Sequence, residues 1–300
     1  MKILLFGKNG FVGKNIYESL STKYEIIAPL KDELDLLNGV AVNNFFKQNK
    51  FDVIIHSAVK GGENVQETTV NMYLNILKNR DSYGKLIYFG SGAEFDKTRD
   101  LIKVDENQIG ESIPQDNYGI AKYIINRSIR REPGFINLRL FGVYGKYENY
   151  LFTFISNSIL KNILKISIEI FKNVIFDYLY IDDLVRITEY FVLNDVNFSD
   201  YNLTPTNSIS LTDIIEYIEK ISGSKSHLTT KNAGFNNQYT GNNSRILNEL
   251  GSFSFTPYET GITDLFHYYE TKLKNEEIDR DKLLENDYLQ IVINKNKNYV

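Results

Sequence analysis

The sequence predicts an α/β fold: a doubly wound parallel sheet followed by a smaller, mixed α/β C-terminal lobe. Three observations lead there. Short apolar runs alternate with segments of helical period through the first 150 residues. Gly7, Gly10 and Gly13 sit between the first apolar run and the first helical segment. Past residue 150 the alternation loosens without any internal repeat.

Each element follows from its pattern. Lys2–Phe6 is too short an apolar run for a helix and reads as a buried strand. Phe11, Val12, Ile16 and Leu20 recur at helical spacing, giving a helix over 11–21. Strands follow at 24–28 and 51–56, with a helix at 39–48 between them. A helix over 64–79 leads to a strand at 85–89 that ends in Gly90-Ser91-Gly92. A helix over 115–131 then leads to a strand at 134–140. Parallel strands joined through helices require right-handed crossovers, which put helices on both sheet faces. Further on, 150–164 reads as helix and 176–181 as one strand running into a helix capped by Asp182 and Asp183. Ser210-Leu-Thr-Asp opens another helix.

Composition narrows the function. The 300 residues are 42% hydrophobic and 24% charged, as in a globular protein. Basic and acidic residues number 34 and 38, a net charge of −4, which argues against a nucleic-acid partner. There is no cysteine, which excludes disulfides, zinc–thiolate sites, iron–sulfur clusters and thiol nucleophiles, and fits a reducing compartment. The N-terminal apolar run is too short for a signal peptide, and no stretch approaches 18 apolar residues. The expectation is a cytoplasmic protein without a membrane partner. His227 and His267 lie far from any motif, so no metal site is expected.

The glycine spacing carries chemistry. In a strand–loop–helix turn, Gly7 permits the tight turn, Gly10 lets backbone approach a pyrophosphate, and Gly13 lets helix and strand pack closely. The loop Gly7, Lys8, Asn9, Gly10, Phe11, Val12 and Gly13 is therefore expected to hold a dinucleotide, and residues 1–150 to be a Rossmann-type domain. Later segments can return to it. The second strand ends in Ala28-Pro-Leu-Lys31, without the acid that selects NAD. Lys31, with Lys8, is expected to meet a 2′-phosphate. NADPH is the expected cofactor, with NAD(H) the alternative. His56, after the third strand, lines the nicotinamide pocket through its backbone.

Tyr-x-x-x-Lys occurs twice, at Tyr118/Lys122 and Tyr268/Lys272. With 21 tyrosines the spacing recurs by chance, and the second pair lies outside the strand–helix repeat. The first follows the strand that ends in Ser91. Positions i and i+4 share a helix face, so phenol and ammonium can act together. A phenol ordinarily titrates near pH 10, and a neighbouring ammonium favours the phenolate. Tyr118 is thus the expected proton donor, Ser91 the oxyanion stabiliser, and Lys122 the residue that tunes Tyr118 and holds the nicotinamide ribose.

These motifs resemble the extended short-chain dehydrogenase/reductase family over roughly residues 1–270. The resemblance includes His56-Ser57-Ala58, Leu138-Arg-Leu-Phe-Gly-Val-Tyr-Gly145, Asp177-Tyr-Leu-Tyr-Ile-Asp-Asp-Leu184 and Leu247-Asn-Glu-Leu-Gly251. It implies a nucleotide-sugar substrate, held by a lobe over 151–271, and a homodimer built from two helices per subunit. It also implies that Asp35, with Leu36, touches the adenine edge. Lys31-Asp-Glu-Leu-Asp-Leu-Leu37 and Lys60-Gly-Gly62 look like the GDP-fucose synthase branch, which epimerises and then reduces a 4-keto-6-deoxy sugar. That branch places a cysteine two residues after the serine and a histidine past the Tyr-Gly segment. Here the first position is Ala93, and no histidine occurs between Gly145 and Ile159. Related dehydratases place Asp-Glu where Gly92 and Ala93 stand. Glu94 lies one residue further and is expected to point elsewhere.

Reduction of a nucleotide-linked keto sugar in surface-polysaccharide synthesis is therefore the expected activity. A 4-epimerase retaining NAD and a non-catalytic dinucleotide-binding module are the alternatives. Lys60, Gly92, Ala93, Glu94, Lys231 and Arg245 are the candidate substrate contacts. Arg245 or Lys231 is expected on the diphosphate, because Phe176 stands where relatives often carry an arginine. The charged, Asn-rich segment 272–300 is expected as an extra helix or a mobile tail.

Overall fold

In β1 (Lys2–Phe6), Ile3 and Leu5 face one side of a sheet, Leu4 and Phe6 the other, and all four are buried. That two-sided burial sets the architecture. The computed structural model describes residues 1–295. The chain continues through α1 (Phe11–Leu20), β2 (Glu25–Ile27), α2 (Gly39–Gln48), β3 (Phe51–His56), α3 (Val65–Leu77), β4 (Tyr83–Ser91), β5 (Leu101–Val104), α4 (Asn117–Ile129), β6 (Phe135–Leu140) and β7 (Gly142–Tyr144). There follow α5 (Phe154–Leu164), β8 (Ile168–Ile170), β9 (Ile175–Phe176), β10 (Tyr178–Tyr180), α6 (Ile181–Leu193) and β11 (Asp200–Leu203). The last elements are β12 (Ile209–Ser210), α7 (Leu211–Ser222), β13 (Leu228–Thr230), β14 (Tyr239–Gly241), α8 (Ser244–Leu250), α9 (Tyr258–Lys274), α10 (Arg280–Leu284) and α11 (Tyr288–Lys295).

The main sheet runs β11-β6-β4-β3-β1-β2, parallel throughout. Ile16 and Leu20 of α1 and Leu184 and Ile187 of α6 cover one face. Val42 and Phe46 of α2, Met72 and Ile76 of α3, and Ile125 and Ile129 of α4 cover the other. Strand order reverses at β1, so its C-terminal end beside β3 is the crevice where such sheets hold ligands. Both the amide and the hydroxyl of Ser57 reach the Phe6 carbonyl there, at 3.0 and 2.7 Å.

β11 returns from beyond residue 150 to the sheet edge beside β6. A second core forms around α5, α7 and α9, from Ile155, Ile159, Ile214, Ile218, Ile262 and Phe266. Ser210 caps α7 reciprocally with Asp213, as its sequence implies.

Two expectations need correction, and a third is met in one of its two forms. The strand expected over 176–181 is broken at Asp177, whose buried carboxylate accepts Lys103 Nζ, Ser208 Oγ and the Gly241 amide. β9 therefore joins the sheet of β12, β14 and β5, while β10 pairs with β7. Asp182 and Asp183 lie inside the first turn of α6 rather than capping it; Asp183 instead accepts the amide and hydroxyl of Thr256. The segment from 272 first completes α9 and then forms α10 and α11, with residues 296–300 outside the described region. Among the described residues no helix is long and apolar enough to cross a membrane.

Candidate active site

The glycine loop has the geometry its spacing implies. Gly7 adopts φ +91°, and a Cβ there would lie 2.6 Å from the Ala58 amide nitrogen. A Cβ on Gly13 would lie 2.1 Å from the Gly7 carbonyl oxygen, so α1 sits directly on the loop. Gly10 is the N-cap of α1, without a capping side chain and without an acid in the first turn. The first turn is thus free to take an anion, and these residues fit a dinucleotide pyrophosphate. The Lys8 ammonium lies over the Tyr17 ring at 3.8 Å. Asn9 is exposed, and Phe11 and Val12 open α1. Lys31 is exposed in the turn after β2. Asp35 accepts the Leu37 amide at 3.0 Å, and Leu36 is buried.

His56 ends β3, buried between Phe6 and Tyr88. Burial, reinforced by the nearby Lys122 charge, holds its imidazole down to about 3, so it stays neutral. A neutral, enclosed ring suits a structural place beside the crevice rather than acid–base work.

Ser91 is the last residue of β4. Asp116 caps α4 by accepting the Gly119 amide at 2.9 Å. Gly119 has no room for a Cβ, which would lie 2.4 Å from the Ala93 carbonyl oxygen, so α4 rests on the turn after Ser91. This contact brings Tyr118 to Ser91, and both line one cavity of about 380 Å³. Lys122, one turn on, donates to the Phe89 carbonyl at 2.7 Å and lies 5.6 Å from the Tyr118 ring centre. Burial lowers its ammonium to about 8, against the pull of Glu94.

Burial dominates the surroundings of the phenol. Burial raises Tyr118 to about 12; its interaction with Ser91 eases that, while Glu94 and Asp116 oppose ionisation. Tyr118 therefore carries its proton, desolvation being the largest influence on it, while Lys122 is directed at the Phe89 carbonyl.

The candidate substrate contacts divide. Ala93 lines the cavity. Gly92 is backed by Tyr239, whose Oη lies 2.5 Å from where its Cβ would be. Lys60 is exposed on the loop after β3. Lys231 pairs with Glu169 of the cavity wall at 3.0 Å. Glu94 does not face the cavity: it is fully buried, accepting the Ser91 amide and pairing with Arg139. Arg245 is likewise turned away, its guanidinium bound to Asp200 and Asn107 and close to Glu106. These acids sit beside Arg245 only in the folded chain.

Three features were not placed at the cavity by the sequence reading. Phe176 packs tilted against Tyr178 and edge-on against Tyr239 on the cavity wall, where Lys172 supplies positive charge and Lys97 pairs with Asp116 at 3.4 Å. Tyr239 stands beside Ser91. Tyr288, Leu289, Val292 and Ile293 of α11 close another side. No local motif marks Tyr239 or Lys172. The apolar spacing of 288–293 was the one available signal for α11, diluted by the charged residues around it.

Residues 3–204 match the model of the NAD dependent epimerase/dehydratase family. The chain is 26% identical to GDP-L-colitose synthase of Yersinia pseudotuberculosis over 311 residues, covering 92% of this chain and all of the relative. A GDP-L-fucose synthetase from Naegleria fowleri bound to NADP superposes with a TM-score of 0.79 at 18% identity, covering 91% of this chain and 95% of that one. A GDP-mannoheptose C4 reductase from Campylobacter jejuni with NADP bound gives 0.75 at 22% identity, covering 90% and 98%.

Proposed function

Because the chain belongs to the NAD dependent epimerase/dehydratase family, and so acts as an NAD(P)-dependent oxidoreductase on nucleotide sugars, we propose that it is an NADPH-dependent reductase of a nucleotide-linked 4-keto sugar. One observation carries this reading: Ser91 and Tyr118 open on the same cavity, while Ala93 occupies the wall position of an epimerising cysteine.

A nicotinamide dinucleotide, bound at the glycine loop, supplies the hydride. With the hydride so supplied to the carbonyl carbon, Tyr118 would give its proton to the oxygen, completing the alcohol. Ser91 donates a hydrogen bond to the oxygen as charge develops. Lys122, held at the Phe89 carbonyl, places a positive charge 5.6 Å from the phenol ring centre and would hold the nicotinamide ribose. Lys31 meets the 2′-phosphate. The relatives named for GDP-sugars favour guanosine diphosphate as carrier. Lys172 is the cation for the diphosphate, since Phe176 brings none and Arg245 is committed elsewhere. Leu74 of α3 and Ile124 of α4, exposed on adjacent helices, are the seam of a homodimer. A place in cytoplasmic surface-polysaccharide synthesis follows from the same reading.

The test is NADPH oxidation against GDP-, UDP- and dTDP-linked 4-keto sugars, with NMR of the product. Oxidation matched by a new secondary alcohol supports reduction. Tightly held NAD with no net NADPH consumption, and inversion at C4, would instead favour a 4-epimerase. No turnover across the panel would leave a binding module.

A further inference from the structure

Tyr239 reaches the site from the second lobe. β14 pairs with β5 and with Phe176 of β9, which fixes the backbone. The ring is held between Phe141 and Phe176, with centroids at 5.2 and 5.7 Å. Its Oη lies against Gly92, at 2.5 Å from a Cβ that glycine lacks, and it lines the cavity with Ser91 and Tyr118. Ser91 thus has a phenol from each lobe beside it.

A hydroxyl has one proton and two lone pairs. On Ser91 the Ala93 amide takes one lone pair, at 3.1 Å. If the second accepted from Tyr118, the proton donor would be turned away from the substrate. We propose that Tyr239 is a positioning residue that donates to Ser91 Oγ, leaving the Ser91 proton and the Tyr118 proton both for the carbonyl oxygen. This rests on the reductase reading above. It also explains why Gly92 follows the serine: any side chain there would displace the second phenol.

The test is Tyr239→Phe, which keeps the ring and removes only the O–H, made in wild-type and Ser91→Ala backgrounds. NADPH oxidation is followed under single-turnover conditions, which read very slow rates, with cofactor binding and thermal unfolding alongside. The loss of one neutral hydrogen bond predicts a rate about 5- to 10-fold lower. Substrate KM, cofactor affinity and melting temperature stay close to wild type. In the Ser91→Ala background the same change has no further effect. A wild-type rate in Tyr239→Phe, or an equal loss in both backgrounds, overturns the role. If Ser91→Ala alone turns over normally, the reductase reading itself fails.

Discussion

Glu94 and Arg139 form a fully enclosed ion pair beneath the catalytic turn. Arg139 Nε lies 2.8 Å from one Glu94 oxygen, and the other accepts the Ser91 amide at 3.0 Å. Arg139 also reaches Asp200 at 2.9 Å and Asn202 at 2.8 Å. The serine is therefore positioned by a charge buried in the main sheet. Arg139→Met would leave Glu94 enclosed without its cation, and breaking such a pair costs about 3–5 kcal/mol. Glu94→Gln keeps the shape and leaves Arg139 on Asp200, so its loss should be smaller. Urea denaturation of both variants checks this order.

Stability should fall as pH rises through the neutral range. Burial holds the Glu148 carboxyl up to about 8, against its hydrogen bond from Ser156. The folded state then binds a proton that the unfolded chain releases near pH 4–5. Stability contributed by that proton is complete below the unfolded value and lost as pH rises toward about 8. Neutral, buried His56 adds an opposing rise of stability with pH below about pH 6.5, so Glu148→Gln should flatten melting temperature between about pH 6.5 and 8. A wild-type slope retained in the variant would place the titration elsewhere.

Cofactor choice should follow Lys31. Reversing its charge in Lys31→Glu should weaken NADPH roughly tenfold, ~1.4 kcal/mol, and leave NADH nearly unchanged. Fluorescence titration of both nucleotides measures the difference. Equal weakening of the two would mean that Lys31 does not meet the 2′-phosphate.

The C-terminal helix should shape substrate affinity. Leu289 and Val292 belong to the cavity wall, and Asn286 ties the start of α11 to Leu151 and Asn157. Replacing both apolar residues with serine should raise substrate KM by about 30-fold or more, since each forfeits about 1–3 kcal/mol of apolar contact. NADPH affinity should not change. An unaltered KM would mean that the substrate does not reach α11.

How much was legible in the sequence follows from which interactions are local. The glycine loop is read from seven consecutive residues and folds as its spacing implies. Tyr118 and Lys122 are one helical turn apart, and Ser91 ends an apolar run, so their shared side of the sheet could be inferred. Glu94–Arg139 could not: the partners are 45 positions apart, and Arg139 stands in a strand that is apolar but for it and Asn137. The break at Asp177 comes from Lys103, Ser208 and Gly241, none a sequence neighbour. The burial around Tyr118 was hidden for a related reason, since spacing gives the distance to an ammonium but not what encloses the phenol.

The most direct measurement follows a deuterium. With NADPH labelled at the transferable C4 position, wild-type protein should place deuterium on the new carbinol carbon of the sugar, detected by NMR. Tyr118→Phe should bind NADPH normally yet transfer the label about 10²- to 10⁴-fold more slowly. Label transfer at the wild-type rate in Tyr118→Phe, or product alcohol without deuterium, would contradict the assignment of this cavity as the site of reduction.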